Sequence, residues 1–241
     1  MCPKDSMQTT IYLVRHGQTN WNLSKRFQGQ RKVPINKVGK EQAKLLAKEL
    51  KGTSFDVVYS SPILRAMQTA RVLASKHTII TCKDLRELDR PKHEGLFSHQ
   101  IKKLIPDIEA QWACDGIDWR SPLGGETLRE YQTRSVKAFK DIIEKNNGKR
   151  ILVVTHGGPL KAIVHWIHGG KPEDFLHVRN PENAECVVIV QSGKKVRITG
   201  FALKVGLVAM FECENQLFGV KQVVTWDFLC KARITKAFKN P

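Results

Sequence analysis

The chain has 241 residues, 41% of them hydrophobic and 26% charged, with a formal net charge of +17. That balance fits one sizeable soluble α/β domain and excludes a collagen-like, low-complexity or disordered chain. The basic excess creates a field that attracts anions, but charge alone does not choose among phosphorylated metabolites, nucleic acid and acidic lipid. The six cysteines (Cys2, Cys82, Cys114, Cys186, Cys213, Cys230) include no CxxC pair, which argues against a disulfide framework and a structural zinc site. Apolar runs such as 151–154 are far short of a membrane span, and the N-terminus lacks the apolar core of a signal peptide. The expectation is a cytoplasmic enzyme with reduced thiols.

In chain order, 10–14 (TIYLV) is β-branched and apolar and reads as a buried strand. The stretch 15–39 is polar and too irregular for a helix. Helical spacing returns at 40–50 through Ala43, Leu46, Ala47 and Leu50. A strand at 55–59, a turn at 60–62 with Pro62, and a helix over 63–76 follow. Residues 78–82 read as a short strand, and 83–123 as loop with weak helical stretches around Ile101 and Ile108. A long helix is predicted over 126–146, opened by Gly124 and Gly125 and closed by Asn147 and Gly148. The run 151–155 (ILVVT) is the clearest central strand, followed by a helix to Ile167. Strands at 185–191 and 195–203 flank a Ser192–Gly193 turn. Alternating strands and helices predict an α/β fold, a three-layer α/β/α sandwich with a mostly parallel central sheet.

Two strands end in clusters of the same kind: Arg15, His16 and Gly17 after the first, His156, Gly157 and Gly158 after the 151–155 strand. Residues beyond the carboxyl ends of strands face the crevice where ligands bind in open α/β sheets. Two histidines there, each followed by a glycine that lets the backbone approach a ligand, can converge on one small anion. A third strand end leads into the helix carrying Arg65, near a helix N-terminus that favours anions. Two guanidiniums match phosphate oxygens better than ammonium groups do. A neutral imidazole is a competent nucleophile, and nearby cations keep His16 deprotonated. Adjacent strand side chains point oppositely, so the backbone must twist after Val14 to bring Arg15 and His16 together, a turn that Gly17 eases.

These residues resemble the histidine phosphatase superfamily in its phosphoglycerate-mutase-like branch. The resemblance runs through RHGQTNWN (15–22), RFQG (26–29), PIN (34–36), SSPILRAMQTA (60–70), LREL (85–88), Glu94 and Gly95, GGET (124–127), THGG (155–158) and Asn180. It covers roughly residues 10–203, implying a catalytic domain over 1–203 and a C-terminal extension over 204–241. The resemblance implies that His16 becomes phosphohistidine and that Arg15, Arg65 and His156 complete the phosphate pocket. It places Asn22, Gln28 and Gly29 along that pocket and makes Glu87 the acid for the leaving oxygen. No metal and no cofactor are implied, with Arg15, Arg65 and a protonated His156 supplying positive charge. The implied partner is a small anionic phosphorylated substrate rather than a specific nucleic acid; the oligomeric state stays open.

The sequence also departs from the family. Pro91 and His93 stand where relatives have a glycine and an aromatic, which predicts a differently shaped loop after Glu87. Lys25, Arg26, Arg31, Lys32 and Lys37 form a basic rim suited to an anionic substrate. The tail has apolar stretches at 204–211 and 226–230 and a basic one at 231–239. Within enzymes the rival is a phosphoglycerate-type mutase, but the segment between Glu87 and His156 has no paired arginines. A catalytically silent basic binding protein is a third reading. His165 and His168, three apart on a helix, form a candidate metal pair with no third ligand.

Overall fold

A computed structural model describes residues 8–203 and 207–210. Seven strands form one sheet in the order β3-β2-β4-β1-β5-β6-β7. They are β1 (Thr9–Arg15), β2 (Val57–Ser60), β3 (Ile79–Thr81), β4 (Arg150–Thr155), β5 (Cys186–Ser192), β6 (Lys195–Leu203) and β7 (Leu207–Met210). The first four are mutually parallel in their pairings. β5 runs antiparallel to β1, and β6 and β7 continue as antiparallel neighbours. The seventh strand comes from the stretch expected to lie outside the domain; the rest of that tail, with Cys213 and Cys230, lies outside the described residues, as does Cys2.

The helices are α1 (Asn20–Leu23), α2 (Lys37–Glu49), α3 (Leu64–Leu73), α4 (Ser98–Leu104), α5 (Ile108–Asp115), α6 (Leu128–Lys145) and α7 (Gly157–Ile167). Alternation along the central strands makes the three layers. Ile151 and Val153 of β4, with Ile11 and Leu13 of β1, pack against Phe139 and Ile142 of α6 and Leu160 and Ile163 of α7. Leu152, Val154 and Val14 face the other way, onto Leu46 of α2 and Ala66 and Ala70 of α3. Truncating one of these large residues to alanine costs about 2–5 kcal/mol. No helix among the described residues is long and apolar enough to cross a membrane.

The boundaries differ from the sequence reading where a cap decides them. The Asn36 side chain accepts the Gly39 amide at 2.8 Å and starts α2 at Lys37 rather than at 40. Inside the stretch read as wholly irregular, Thr19 and Asn22 form a capping box that folds the short α1. The hairpin between β5 and β6 turns at Gly193 and Lys194, one residue later than expected, because Ser192 still pairs with Lys195. Cys82, Cys114 and Cys186 are free.

Gly17 also has a packing role. A Cβ there would lie 2.4 Å from the Gly39 carbonyl oxygen, and one on Gly39 would lie 2.1 Å from that of Gln18. The two glycines let the loop after β1 and the first turn of α2 touch backbone to backbone. Gly39→Ala should therefore cost about 2–3 kcal/mol of unfolding free energy in urea, as overpacking does; wild-type stability in that variant would contradict this packing.

Candidate active site

Three neighbouring parallel strands, β2, β4 and β1, end at nearly the same level. The ladder continues one residue beyond each: the His16 amide donates to Thr155 O and the Ser61 amide to Val154 O, both at 2.9 Å. His16, His156 and Ser61 thereby meet at the carboxyl edge of the sheet, where the sequence predicted two histidines to converge. The imidazoles lie edge to face with centroids 5.2 Å apart.

The His16 ring has two fixed neighbours. Nδ1 is 2.7 Å from Gly17 O, which can only accept, and Nε2 is 3.1 Å from Arg65 Nε, which can only donate. The ring proton is therefore assigned to Nδ1, and Nε2 presents its lone pair. Burial, then the charges of Arg65 and Arg15, hold this ring well below the ordinary imidazole range. The neutral state expected of His16 follows from the same forces.

Arg65 is 1% exposed. Its Nη2 donates to Gly29 O at 2.7 Å and its Nη1 to Arg31 O at 3.0 Å. Burial lowers its pKa to about 10, so it stays charged at neutral pH. Thr69, one turn on in α3, donates to Arg65 O at 2.8 Å and accepts the Gly17 amide at 3.0 Å, tying α3 to the His16 loop. Arg15 donates through Nη1 to Pro181 O, while its Nε is buried with no partner. Gly157 leaves room for this guanidinium, since a Cβ there would sit 3.3 Å from Arg15 Nε.

His156 corrects the expectation of a protonated ring. Burial, then Arg65, His16 and Arg15, hold it well below the ordinary range, so it is neutral. Its Nε2 is 2.7 Å from Ser61 Oγ and its Nδ1 is buried and unpartnered. Ser61 Oγ already receives the Ile63 amide at 3.3 Å, so its own proton is free to point at Nε2. With that hydroxyl donating to Nε2, the ring proton sits on Nδ1 as an unused donor.

The remaining expected residues fall around this centre. Gln28 Oε1 accepts from the Thr19 hydroxyl at 2.9 Å, and Asn22 Oδ1 accepts the Thr19 amide at 3.0 Å. Gly29 contributes its carbonyl to Arg65. Asn183, not singled out in the sequence, reaches the site, donating to His16 O at 3.2 Å and Asn22 Oδ1 at 3.3 Å. Glu87 stands beside the amino end of α7, its Oε2 3.4 Å from the Gly158 amide. The loop carrying it is fastened by Thr155, which donates to Leu85 O at 2.7 Å. Pro91 and His93 shape a short 3-10 turn, with buried His93 2.8 Å from Ser121 Oγ. All five rim cations, Lys25, Arg26, Arg31, Lys32 and Lys37, are exposed. His165 is occupied by Lys171 O at 2.6 Å. No cluster of three or more His, Cys, Asp or Glu able to hold a metal ion occurs among the described residues.

Sequence reasoning missed Ser61, Thr69 and Asn183 as site residues. The first two lay inside the quoted 60–70 motif, but nothing marked hydroxyls there as partners of distant groups. The arrangement can seat a tetrahedral dianion against two guanidiniums with a neutral imidazole nitrogen in front of it.

The neutral histidines couple the site to pH. A folded-state pKa below the unfolded value means the unfolded chain takes up more protons on acidification. Stability present above pH ~6.5 is then lost as pH falls, at about 1.4 kcal/mol per pH unit for each ring. Between pH 7.5 and 5.5, His16→Gln should lose about 1.4 kcal/mol less unfolding free energy than wild type. Equal losses would show that His16 titrates as an exposed histidine.

Residues 11–204 match the model of the histidine phosphatase superfamily, branch 1. A metal-independent phosphoserine phosphatase of Arabidopsis thaliana is 37% identical over 163 residues, covering 66% of this chain and 68% of its own. Phosphoglycerate mutase-like protein 4 of the same plant is 36% identical over 157 residues, covering 64% and 68%. Among solved structures, a mutant phosphoserine phosphatase from Entamoeba histolytica in complex with phosphoserine superposes with a TM-score of 0.69 at 25% identity, covering 80% of this chain and 96% of that one. The fold, the paired strand-tip histidines and these matches agree: this chain belongs to the histidine phosphatase superfamily.

Proposed function

We propose that this protein is a metal-independent phosphomonoesterase that passes the phosphoryl group of a small anionic metabolite to His16 and then to water. One observation carries the reading: His16 Nε2 accepts from Arg65 Nε at 3.1 Å, beside the His156 ring, in a buried centre where Arg15 Nε and His156 Nδ1 have no hydrogen-bond partner. Buried donors without partners are costly, and a bound phosphate dianion satisfies them.

In the first half-reaction Nε2 attacks phosphorus, the P–O bond to the leaving group breaks, and Glu87 protonates the departing oxygen. In the second, Glu87 takes a proton from water, which attacks phosphorus and releases His16. Phosphoryl transfer needs chiefly positioning and stabilisation of equatorial charge, which Arg15, Arg65 and His156 supply. Asn22, Gln28 and Gly29 brace the pocket wall, Gly157 leaves room for the Arg15 guanidinium, and Gly17 lets the His16 loop close on α2. The superfamily match and the phosphoserine phosphatase relative support hydrolysis of a phosphorylated metabolite. The exposed basic rim suits a substrate with further negative charge, so phosphoserine is the first candidate. The free thiols among the described residues fit work in the cytoplasm.

Purified protein in EDTA should release phosphate from p-nitrophenyl phosphate and phosphoserine and trap an acid-labile phosphoenzyme. His16→Ala should lose the phosphoenzyme and about 1,000-fold or more in turnover. Normal turnover in that variant would overturn the assignment. Interconversion of 2- and 3-phosphoglycerate outpacing phosphate release would make the protein a mutase instead.

A further inference from the structure

We propose that Tyr131 is a positioning residue for the acid: its phenol holds Oε1 of Glu87, so that the transferred proton travels on Oε2. This rests on the reading of Glu87 as acid and base given above, and goes beyond it by dividing labour between the two carboxylate oxygens.

Tyr131 lies on α6 and is 2% exposed. Its hydroxyl donates to Glu87 Oε1, and the Leu88 amide donates to the same oxygen at 2.9 Å. Oε2 has only the long contact with the Gly158 amide, 3.4 Å, at the amino end of α7. With two donors on Oε1, Oε2 is left for proton exchange with the leaving oxygen and later with water. Oε2–H gives its proton to the ester oxygen as the P–O bond breaks, and Oε2 regains one from water as the P–N bond breaks. The Tyr131 hydroxyl keeps its own proton throughout; burial, then the Glu87 charge, push the phenol well above its usual range.

The surroundings are built around the hydroxyl rather than the ring alone. A Cβ on Gly158 would lie 1.7 Å from the Tyr131 oxygen, so α7 gives up a side chain where the phenol reaches through. The Arg134 guanidinium sits 4.9 Å from the Tyr131 ring centroid. It donates to the carbonyls of Asp84, Arg86 and Glu87 at 2.7, 2.8 and 3.1 Å, and pairs with Glu126 through two bonds of 2.8 and 2.5 Å. One face of α6 thus clamps the backbone of the acid loop and aims its carboxylate.

The test is a double-mutant cycle, Y131F against E87Q, in the full-length protein, reading kcat/KM for p-nitrophenyl phosphate and for an alkyl phosphate, with melting temperatures alongside. An aryl leaving group needs little protonation, so Y131F should lower kcat/KM about tenfold more on the alkyl than on the aryl ester. In the E87Q background Y131F should cost less than about twofold. Equal falls on both esters, or the same fall with and without Glu87, would overturn the proposal while leaving the phosphatase reading intact; no wild-type turnover of either ester would remove both. Should Y131F fail to fold, 3-fluorotyrosine at position 131 keeps ring and hydroxyl and changes donor strength. A changed alkyl-to-aryl ratio then supports the role and an unchanged one rejects it.

Discussion

The site depends on one imidazole held between two neighbours of opposite character. Gly17 O takes the Nδ1 proton of His16 and the Arg65 guanidinium faces Nε2. That pairing sets the tautomer and aims the Nε2 lone pair, while burial, then the charges of Arg65 and Arg15, keep the ring neutral against the pull of the Gly17 carbonyl. It requires the parallel register of β1 and β4 and the backbone contact of Gly17 with Gly39. It also requires Arg65 to be anchored by the Gly29 and Arg31 carbonyls, since a long side chain left free would lose several rotamers' worth of entropy on engaging phosphate.

Two guanidiniums are buried here, with the carboxylates of Glu87, Glu185 and Glu94 close enough to act on them. Arg15 and Arg65 are both lowered by burial, and two buried polar atoms in the pocket lack partners. Such an arrangement is unfavourable when empty and becomes favourable when a dianion enters, which directs binding energy to the phosphoryl group. The neutral His156 belongs to this balance. Its ring is uncharged because it is buried and, second, because two guanidiniums are close; an incoming phosphate would counter that repulsion. Glu87, the proposed acid, is brought by a separate piece of chain, the loop after β3, fastened through Arg134 and Glu126. Glu126 Oε1 accepts the Asp89 amide at 2.8 Å, so the same carboxylate ties the loop to Arg134 of α6.

Much of the fold was legible in the sequence because its central strands are covered on both faces and read as continuous apolar runs, as at Ile151, Leu152, Val153 and Val154. The strand-tip positions of His16 and His156 were legible for the same reason: a run of β-branched residues ending in a polar cluster marks the edge of a parallel sheet. What stayed hidden depended on tertiary neighbours. Gly17 read as a turn residue because Gly39 lies 22 positions away and its approach leaves no sequence mark. His156 was expected to carry charge because its burial was not visible. Asn183 was not singled out, although it donates to His16 O. Tyr131 fits the apolar stripe of α6 with Leu128, Ala138 and Ile142, so only its hydroxyl hinted at another task.

The most direct test is the state of the His16 ring, read by nitrogen-15 and proton NMR of histidine-labelled protein without ligand. Through pH 5.5 to 8 the ring should stay neutral, with its proton on Nδ1 and a bare Nε2. A ring titrating near the ordinary imidazole value of about 6.5, or one protonated on Nε2, would contradict the account.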